Sequence, residues 1–94
     1  MIVGHWDIKT LDFVRYTNKR LEDKGLSVEV FCIADNCPPS LIYVYDHSNG
    51  DKRQLCMYAL NDEDVWVIYK NHPDYHPIDW LENRMKVFKR KDGD

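Results

Sequence analysis

The stretch SLIYVYDHSNGDKRQLCMYAL, residues 40–60, determines which fold this chain can adopt. Two runs of alternating residue types flank Asn49-Gly50, the pair best suited to the positive φ angles of a type I′ hairpin turn. A two-residue turn also sets which residues of the two strands stand opposite each other. The sequence therefore predicts a hairpin in which Asp46 faces Arg53.

This predicted register assigns the side chains of the hairpin to two faces. It places Val44 opposite Leu55 and Ile42 opposite Met57, so that these apolar residues point together toward the core. The other face is rich in tyrosine and receives Tyr43, Tyr45, Cys56 and Tyr58.

Two further strands are predicted on either side of the hairpin. The acidic turn NDED, residues 61–64, leads into VWVIYK, residues 65–70, which continues the alternation. Trp66 and Ile68 then fall on the core face, whereas Val65, Val67 and Tyr69 join the tyrosine side. Upstream, LSVEVFCIA, residues 26–34, has the composition of a strand and stops before two consecutive prolines.

A helix is expected at each end of the chain. Asp7 is a suitable cap for the first helix, Gly25 a suitable end, and its shared apolar side is formed by Leu11, Val14 and Leu21. The second helix is predicted over PIDWLENRMKVFKR, residues 77–90, with Pro77 at its first position. Its apolar stripe consists of Ile78, Leu81, Met85 and Phe88.

The predicted fold class is α+β. A chain of 94 residues has room for one core, so we expect a single domain over residues 1–94, with 91–94 as a frayed tail. An N-terminal and a C-terminal helix flank a mainly antiparallel sheet of about four strands, and both helices pack on the Trp66 face.

The net charge, the length of the apolar runs and the cysteine count limit which partners and which cellular location are expected. The net charge of −3 argues against general binding to nucleic acid or anionic membranes, which depends on a basic surface. Apolar runs are far shorter than the roughly 20 residues of a membrane span, and the N-terminal residues lack the basic start of a signal peptide. These two features predict a cytoplasmic location. Because three cysteines leave an odd thiol if any two pair, we expect reduced thiols.

The two histidines of YKNHPDYHPIDW, residues 69–80, raise the question of a metal site. Prolines directly after His72 and His76 disfavour a continuous helix there, so the pair does not share a helix face. A zinc site formed by Cys32, Cys37, His72 and His76 is an alternative, although Cys-x4-Cys lies at the edge of the usual ligand spacing. We expect no metal and no cofactor.

Catalytic chemistry has no convincing motif in this sequence. There is no glycine-rich phosphate loop, and the acidic residues 62–64 fall in a predicted turn. A hydrolase pairing Cys32, Cys37 or Cys56 with His47 remains an alternative without a motif. We therefore expect no catalytic residues and no enzymatic activity.

Two surfaces favour an interaction protein. Two helices can cover only one face of the sheet, and tyrosine and tryptophan are enriched in interfaces. The last helix also carries a second apolar strip in which Arg84 lies between Trp80 and Val87. The residues predicted to bind a partner are Tyr43, Tyr45, Tyr58, Tyr69, Trp80 and Arg84. Loops over the tyrosines, or tyrosines that simply face water, are the structural alternative.

The functional interpretation is a small cytoplasmic module without catalytic activity that binds another protein or a second copy of itself as a homodimer. Small size, net acidity and the lack of active-site motifs are typical of inhibitors, such as the immunity or anti-defence proteins among phage and bacterial accessory proteins. The alternative is a nucleic-acid-binding module that uses the basic end of the last helix, RMKVFKRK, residues 84–91.

Overall fold

The computed structural model of this chain describes residues 8–31 and 39–86. The helices are α1 (Ile8–Leu21), a short 3-10 helix (Glu22–Lys24) and α2 (Asp79–Met85). The strands are β1 (Leu26–Phe31), β2 (Leu41–Asp46), β3 (Arg53–Leu60) and β4 (Trp66–Lys70). All neighbouring strands are antiparallel, in the order β1-β2-β3-β4. The predicted α+β fold is confirmed.

Helix α1 packs on β1 through a broader buried side than the sequence predicted. Leu21 is fully buried as expected, but Phe13 and Thr17 are also buried, whereas Leu11 is only half-buried. The Asn18 side chain accepts a hydrogen bond from the Val28 N–H (2.7 Å) and donates one to the Val28 carbonyl (3.3 Å). These two bonds hold the helix against the first strand.

The end of this helical segment agrees with the prediction for Gly25. Its φ of 69° lies in the left-handed region that favours glycine, and its N–H donates to the Glu22 carbonyl (3.0 Å). An added Cβ at Gly25 would lie 3.2 Å from the Ser48 Cβ, so the position is also tightly packed. The predicted cap Asp7 lies outside the described residues.

The β2–β3 connection differs from the predicted two-residue turn. Only Gly50 of the Asn49-Gly50 pair has a positive φ (84°), so the type I′ turn is wrong. The Gly50 N–H donates to the His47 carbonyl (3.0 Å), and the Asp46 carboxylate accepts from the Ser48 N–H (2.8 Å). These bonds close a longer loop over residues 47–52.

Asp46 and Arg53 are nevertheless opposite each other, as predicted. The Arg53 guanidinium donates to the Asp46 carboxylate (2.6 Å). Hydrogen bonds from Ser48, and then the bond and charge of Arg53, lower the pKa of Asp46 from 3.8 to about 2. The carboxylate is therefore more easily ionised in the folded protein than in the unfolded chain.

Asp46 is expected to contribute to the loss of stability in acid. Because its folded pKa is lowered, its contribution is present above the unfolded value of 3.8 and is lost as the pH falls toward 2. In urea unfolding, Asp46→Asn should lower the free energy of unfolding near neutral pH, and its difference from the wild type should shrink near pH 2. Asp51→Asn, in the exposed part of the same loop, is the control that should show no such change. An Asp46→Asn difference that is equal at both pH values would contradict the assignment.

A β-bulge in β3 overturns the predicted pairing beyond the loop. Tyr45 pairs with Gln54 but Val44 pairs with Cys56, so Leu55 is an extra residue on β3. Its carbonyl accepts hydrogen bonds from the N–H groups of Asn71 (2.8 Å) and His72 (3.1 Å). In the predicted register this carbonyl would bond within the hairpin, but in the structure it bonds to the chain segment that follows β4.

The bulge changes the face on which the following β3 residues lie. The predicted pairs Val44–Leu55 and Ile42–Met57 are wrong, because Val44 faces Cys56 and Ile42 faces Tyr58. Tyr58 and Cys56 therefore point to the core, whereas Met57 points to the opposite side. Leu55 is still buried. On β4, Trp66 and Ile68 pack against the core as predicted.

Helix α2 begins later than the sequence predicted. Ile78 is its N-cap in an extended conformation (φ −105°, ψ 99°), so Pro77 precedes the cap and does not occupy the first helical position. Leu81 and Met85 are buried, which confirms the core side of the helix. Phe88, and the predicted helix end near residue 90, lie outside the described residues.

Two side-chain hydrogen bonds attach α2 to the core face of the sheet. The Tyr58 hydroxyl donates to the Glu82 carboxylate (2.9 Å), and Trp66 Nε1 donates to the Met85 carbonyl (2.8 Å). The Tyr75 hydroxyl lies 2.8 Å from that of Tyr58. Since the single proton of Tyr58 goes to Glu82, Tyr75 donates to Tyr58. Both helices therefore lie on the same side of the sheet.

Candidate interaction surface

The sheet side opposite α1 and α2 carries a set of large apolar and aromatic side chains, which we call the outer face. It consists of Phe31, Tyr43, Tyr45, Met57, Val67 and Tyr69. Tyr69 is the most open of the three tyrosines, with 51% of its surface exposed, and Tyr43 and Tyr45 are half-buried. The predictions for these tyrosines placed them on the correct side of the sheet.

The aromatic rings of β1 and β2 contact one another across the outer face. The centroids of Phe31 and Tyr43 are 4.8 Å apart, and those of Tyr43 and Tyr45 are 6.2 Å apart, with both pairs inclined edge to face. Such pairs are favourable and restrict the motion of each ring. The rings of Phe31, Tyr43 and Tyr45 therefore form a continuous row of contacts on the outer face.

One charged pair borders this aromatic row. The Lys52 ammonium lies 4.2 Å from the centre of the Tyr45 ring and forms an ion pair with Glu29. Partial burial, and then the charge of Glu29, raise the pKa of Tyr45. Its hydroxyl is therefore protonated at neutral pH and can both donate and accept a hydrogen bond.

Tyr58 is the predicted binding residue that the structure excludes from the surface. Only 2% of Tyr58 is exposed, and burial, followed by the hydrogen bond with Tyr75, raises the pKa of its hydroxyl strongly. The prediction that Tyr58 lies on the exposed tyrosine side of the sheet is wrong. Its physical cause is the bulge at Leu55, which moves Tyr58 to the core face.

Trp80 and Arg84 lie on the helix side of the molecule, away from the outer face. The Tyr16 and Trp80 rings are 6.3 Å apart and perpendicular. The Arg20 guanidinium lies 4.1 Å from the centre of the Trp80 ring, and that of Arg84 lies 4.2 Å from the Tyr16 ring. The predicted strip is thus engaged with α1, while Val87 lies outside the described residues. The predicted binding residues belong to two separate surfaces.

The cysteine and histidine positions bear on the catalytic alternative. Cys56 is fully buried, and this burial raises its thiol pKa to about 11, the opposite of an activated nucleophile. His47 instead places Nε2 2.6 Å from the Ser27 hydroxyl. The pairing of Cys56 with His47 is therefore not formed, and Cys32 and Cys37 lie outside the described residues.

The predicted histidine pair also separates into different environments. His72 Nε2 lies 3.2 Å from the Arg53 guanidinium, and His72 Nδ1 lies 3.7 Å from the Asp74 carboxylate, whereas His76 is exposed. Within residues 8–31 and 39–86, no three potential ligands converge on a metal position. Among the helices in these ranges, none has the length and apolar character needed to cross a membrane.

Sequence reasoning missed several members of the outer face and its border. Phe31 and Glu29 share a face of β1, and the alternation in this strand was a signal for their placement. Met57 had no such signal, because only the bulge moves it outward.

Comparison with protein-family models, curated proteins and solved structures found no match.

Proposed function

We propose that this chain is a small cytoplasmic interaction module without catalytic activity that binds another protein through its outer face. The observation that carries this proposal is the row of rings formed by Phe31, Tyr43 and Tyr45 on the side opposite both helices. Aromatic side chains bury a large area at low entropic cost when they are already held in place. A partner would therefore meet a surface that needs little rearrangement.

The charge distribution on this face favours a protein partner over nucleic acid. Binding to single-stranded nucleic acid combines stacking rings with cations that follow the phosphates. Here the cation beside the rings, Lys52, is paired with Glu29. In the basic segment proposed for the alternative function, Arg84 stacks on Tyr16, and residues 87–91 lie outside the described residues. The phosphate-binding alternative therefore has less support.

An inhibitor of the immunity or anti-defence type is the role we infer for such a module. A binding protein inhibits its partner when it covers the partner's functional site, and this requires no catalytic activity. The small size of 94 residues and the net charge of −3 are consistent with this role. The outer face would be the surface that covers the partner.

Affinity capture from the native host tests this proposal. Wild type, Tyr43→Ser and Tyr16→Ser serve as baits, because Tyr43 lies on the outer face and Tyr16 is an exposed tyrosine (42%) on α1. A central interface tyrosine contributes about 1–3 kcal/mol, so Tyr43→Ser should weaken capture roughly 5- to 150-fold. Tyr16→Ser should capture the partner as the wild type does.

Circular dichroism must show that Tyr43→Ser keeps its fold before its binding is interpreted. A folded Tyr43→Ser that captures the same partner with wild-type affinity would overturn the proposal. Loss of capture with Tyr16→Ser alone would move the binding surface to the contact between α1 and α2.

A further inference from the structure

The β4 edge of the sheet combines openness with apolar character. Within residues 8–31 and 39–86, β4 is an outer strand of the sheet, and its hydrogen-bonded neighbour is β3. In the part of the chain that the structure describes, the exposed large apolar side chains are Tyr16, Val65 (54%) and Tyr69 (51%). Of these three, Val65 directly precedes β4 and Tyr69 lies within it. Outer strands of this kind are templates for pairing with another chain.

The opposite edge of the sheet is protected by charge. Glu29 lies in the middle of β1 and forms an ion pair with Lys52. In a two-fold register centred on Glu29, a second β1 strand would place two carboxylates opposite each other, one of the ways in which proteins block edge pairing. In β4, residues 66–69 carry no charge, and Lys70 lies only at the end of the strand.

One antiparallel register makes the β4 edge complementary to itself. A two-fold axis through Val67 sets Tyr69 of one copy opposite Val65 of the other and Trp66 opposite Ile68. Apolar side chains thus meet apolar side chains across the axis. An axis through Ile68 would instead set Lys70 opposite Trp66 and leave Val65 opposite Asn71.

We propose that two copies of this chain associate through their β4 edges, with Val67 on the two-fold axis, to form a continuous eight-stranded sheet. Residues related by this axis lie on the same sheet face, so the two outer faces become one surface. The dimer is tested on β4 and partner capture is tested at Tyr43 on β2, which is separated from β4 by β3. Partner capture and dimer formation can therefore fail separately.

Charged substitutions at Val67 test both the β4 contact and its register. Val67 pairs with Ala59 on the outer face and is only half-buried, so a charged residue can be placed there without entering the core. In the proposed register, position 67 faces itself, so Val67→Lys or Val67→Glu brings like charges together. Each variant should be monomeric, and a mixture of the two should form a heterodimer. Val67→Thr is the control of similar shape and should remain dimeric.

Light scattering during gel filtration provides the readout. The wild type should have about twice the chain mass of 11.3 kDa, and the two charged variants should have the mass of one chain. A monomeric wild type at high concentration, or charged variants that remain dimeric alone, would overturn the proposal. Failure of the mixture to form a heterodimer would overturn the register.

Amide hydrogen exchange on the wild type gives a second readout that does not depend on the folding of the variants. Exchange within β4 should slow as the protein concentration rises, whereas exchange in β1 should stay constant. Exchange in β4 that is independent of concentration across the monomer–dimer range would place the dimer contact elsewhere and contradict the proposal.

Discussion

Tyr58→Ser is expected to lower the free energy of unfolding by about 3–5 kcal/mol, the range for loss of a buried aromatic side chain. The ring lies in the core with 2% of its surface exposed. The substitution also removes the hydroxyl that joins Tyr75 to Glu82. Because small domains have only about 5–15 kcal/mol of stability, this variant should be largely unfolded or unfold at much lower urea concentration. Urea unfolding followed by circular dichroism measures the difference.

Two companion substitutions separate the contributions of the ring and the hydroxyl. Tyr58→Phe keeps the ring but leaves two polar partners without their shared hydroxyl, and should cost about 1–3 kcal/mol. Tyr43→Ser, at a half-buried tyrosine of the outer face, should cost much less than Tyr58→Ser. Equal losses for Tyr43→Ser and Tyr58→Ser would contradict the separation of the two faces, and with it the bulge at Leu55.

Leu81→Ala is expected to cost about 2–5 kcal/mol, since Leu81 is fully buried between α2 and the sheet. Helix α2 is short, and isolated helices of this length are unstable, so its formation depends on packing against the core. Thermal unfolding followed by circular dichroism, together with urea unfolding, measures the loss.

Asn83→Ala provides the matched control for this prediction. Asn83 lies on the same helix but is exposed, so its replacement should change the stability by no more than about 0.5 kcal/mol. A Leu81→Ala variant as stable as Asn83→Ala would show that α2 does not pack on the sheet in solution.

The types of the elements follow from local patterns that act within a few residues. Alternation with period two determines strands because neighbouring side chains of a strand point to opposite faces. Val44 and Tyr45 illustrate this on β2, where one residue points to the core and the other to the outer face. The end of the first helical segment at Gly25 likewise depends on the conformational freedom of one residue.

The outer face was predictable only in part. Tyr43, Tyr45 and Tyr69 could be placed correctly because they lie on strands whose alternation is uninterrupted. Trp80 and Arg84 were predicted to lie on a surface strip, but Trp80 is partly buried against the core, and the sequence does not show that Tyr16 and Arg20 of α1 stack against it. That contact depends on how two helices distant in sequence pack together.

The sequence by itself determined the helix–four strands–helix order, because alternation and apolar periodicity are local properties. It also determined the pairing of Asp46 with Arg53, although the turn between them is not of the predicted type. Only the tertiary structure decided the face of Tyr58. Its placement depends on the Leu55 carbonyl, which bonds with Asn71 and His72 after the next strand and so stabilises the bulge. A one-residue shift reverses every later side chain of a strand, and no local pattern reports a hydrogen bond formed by a distant segment.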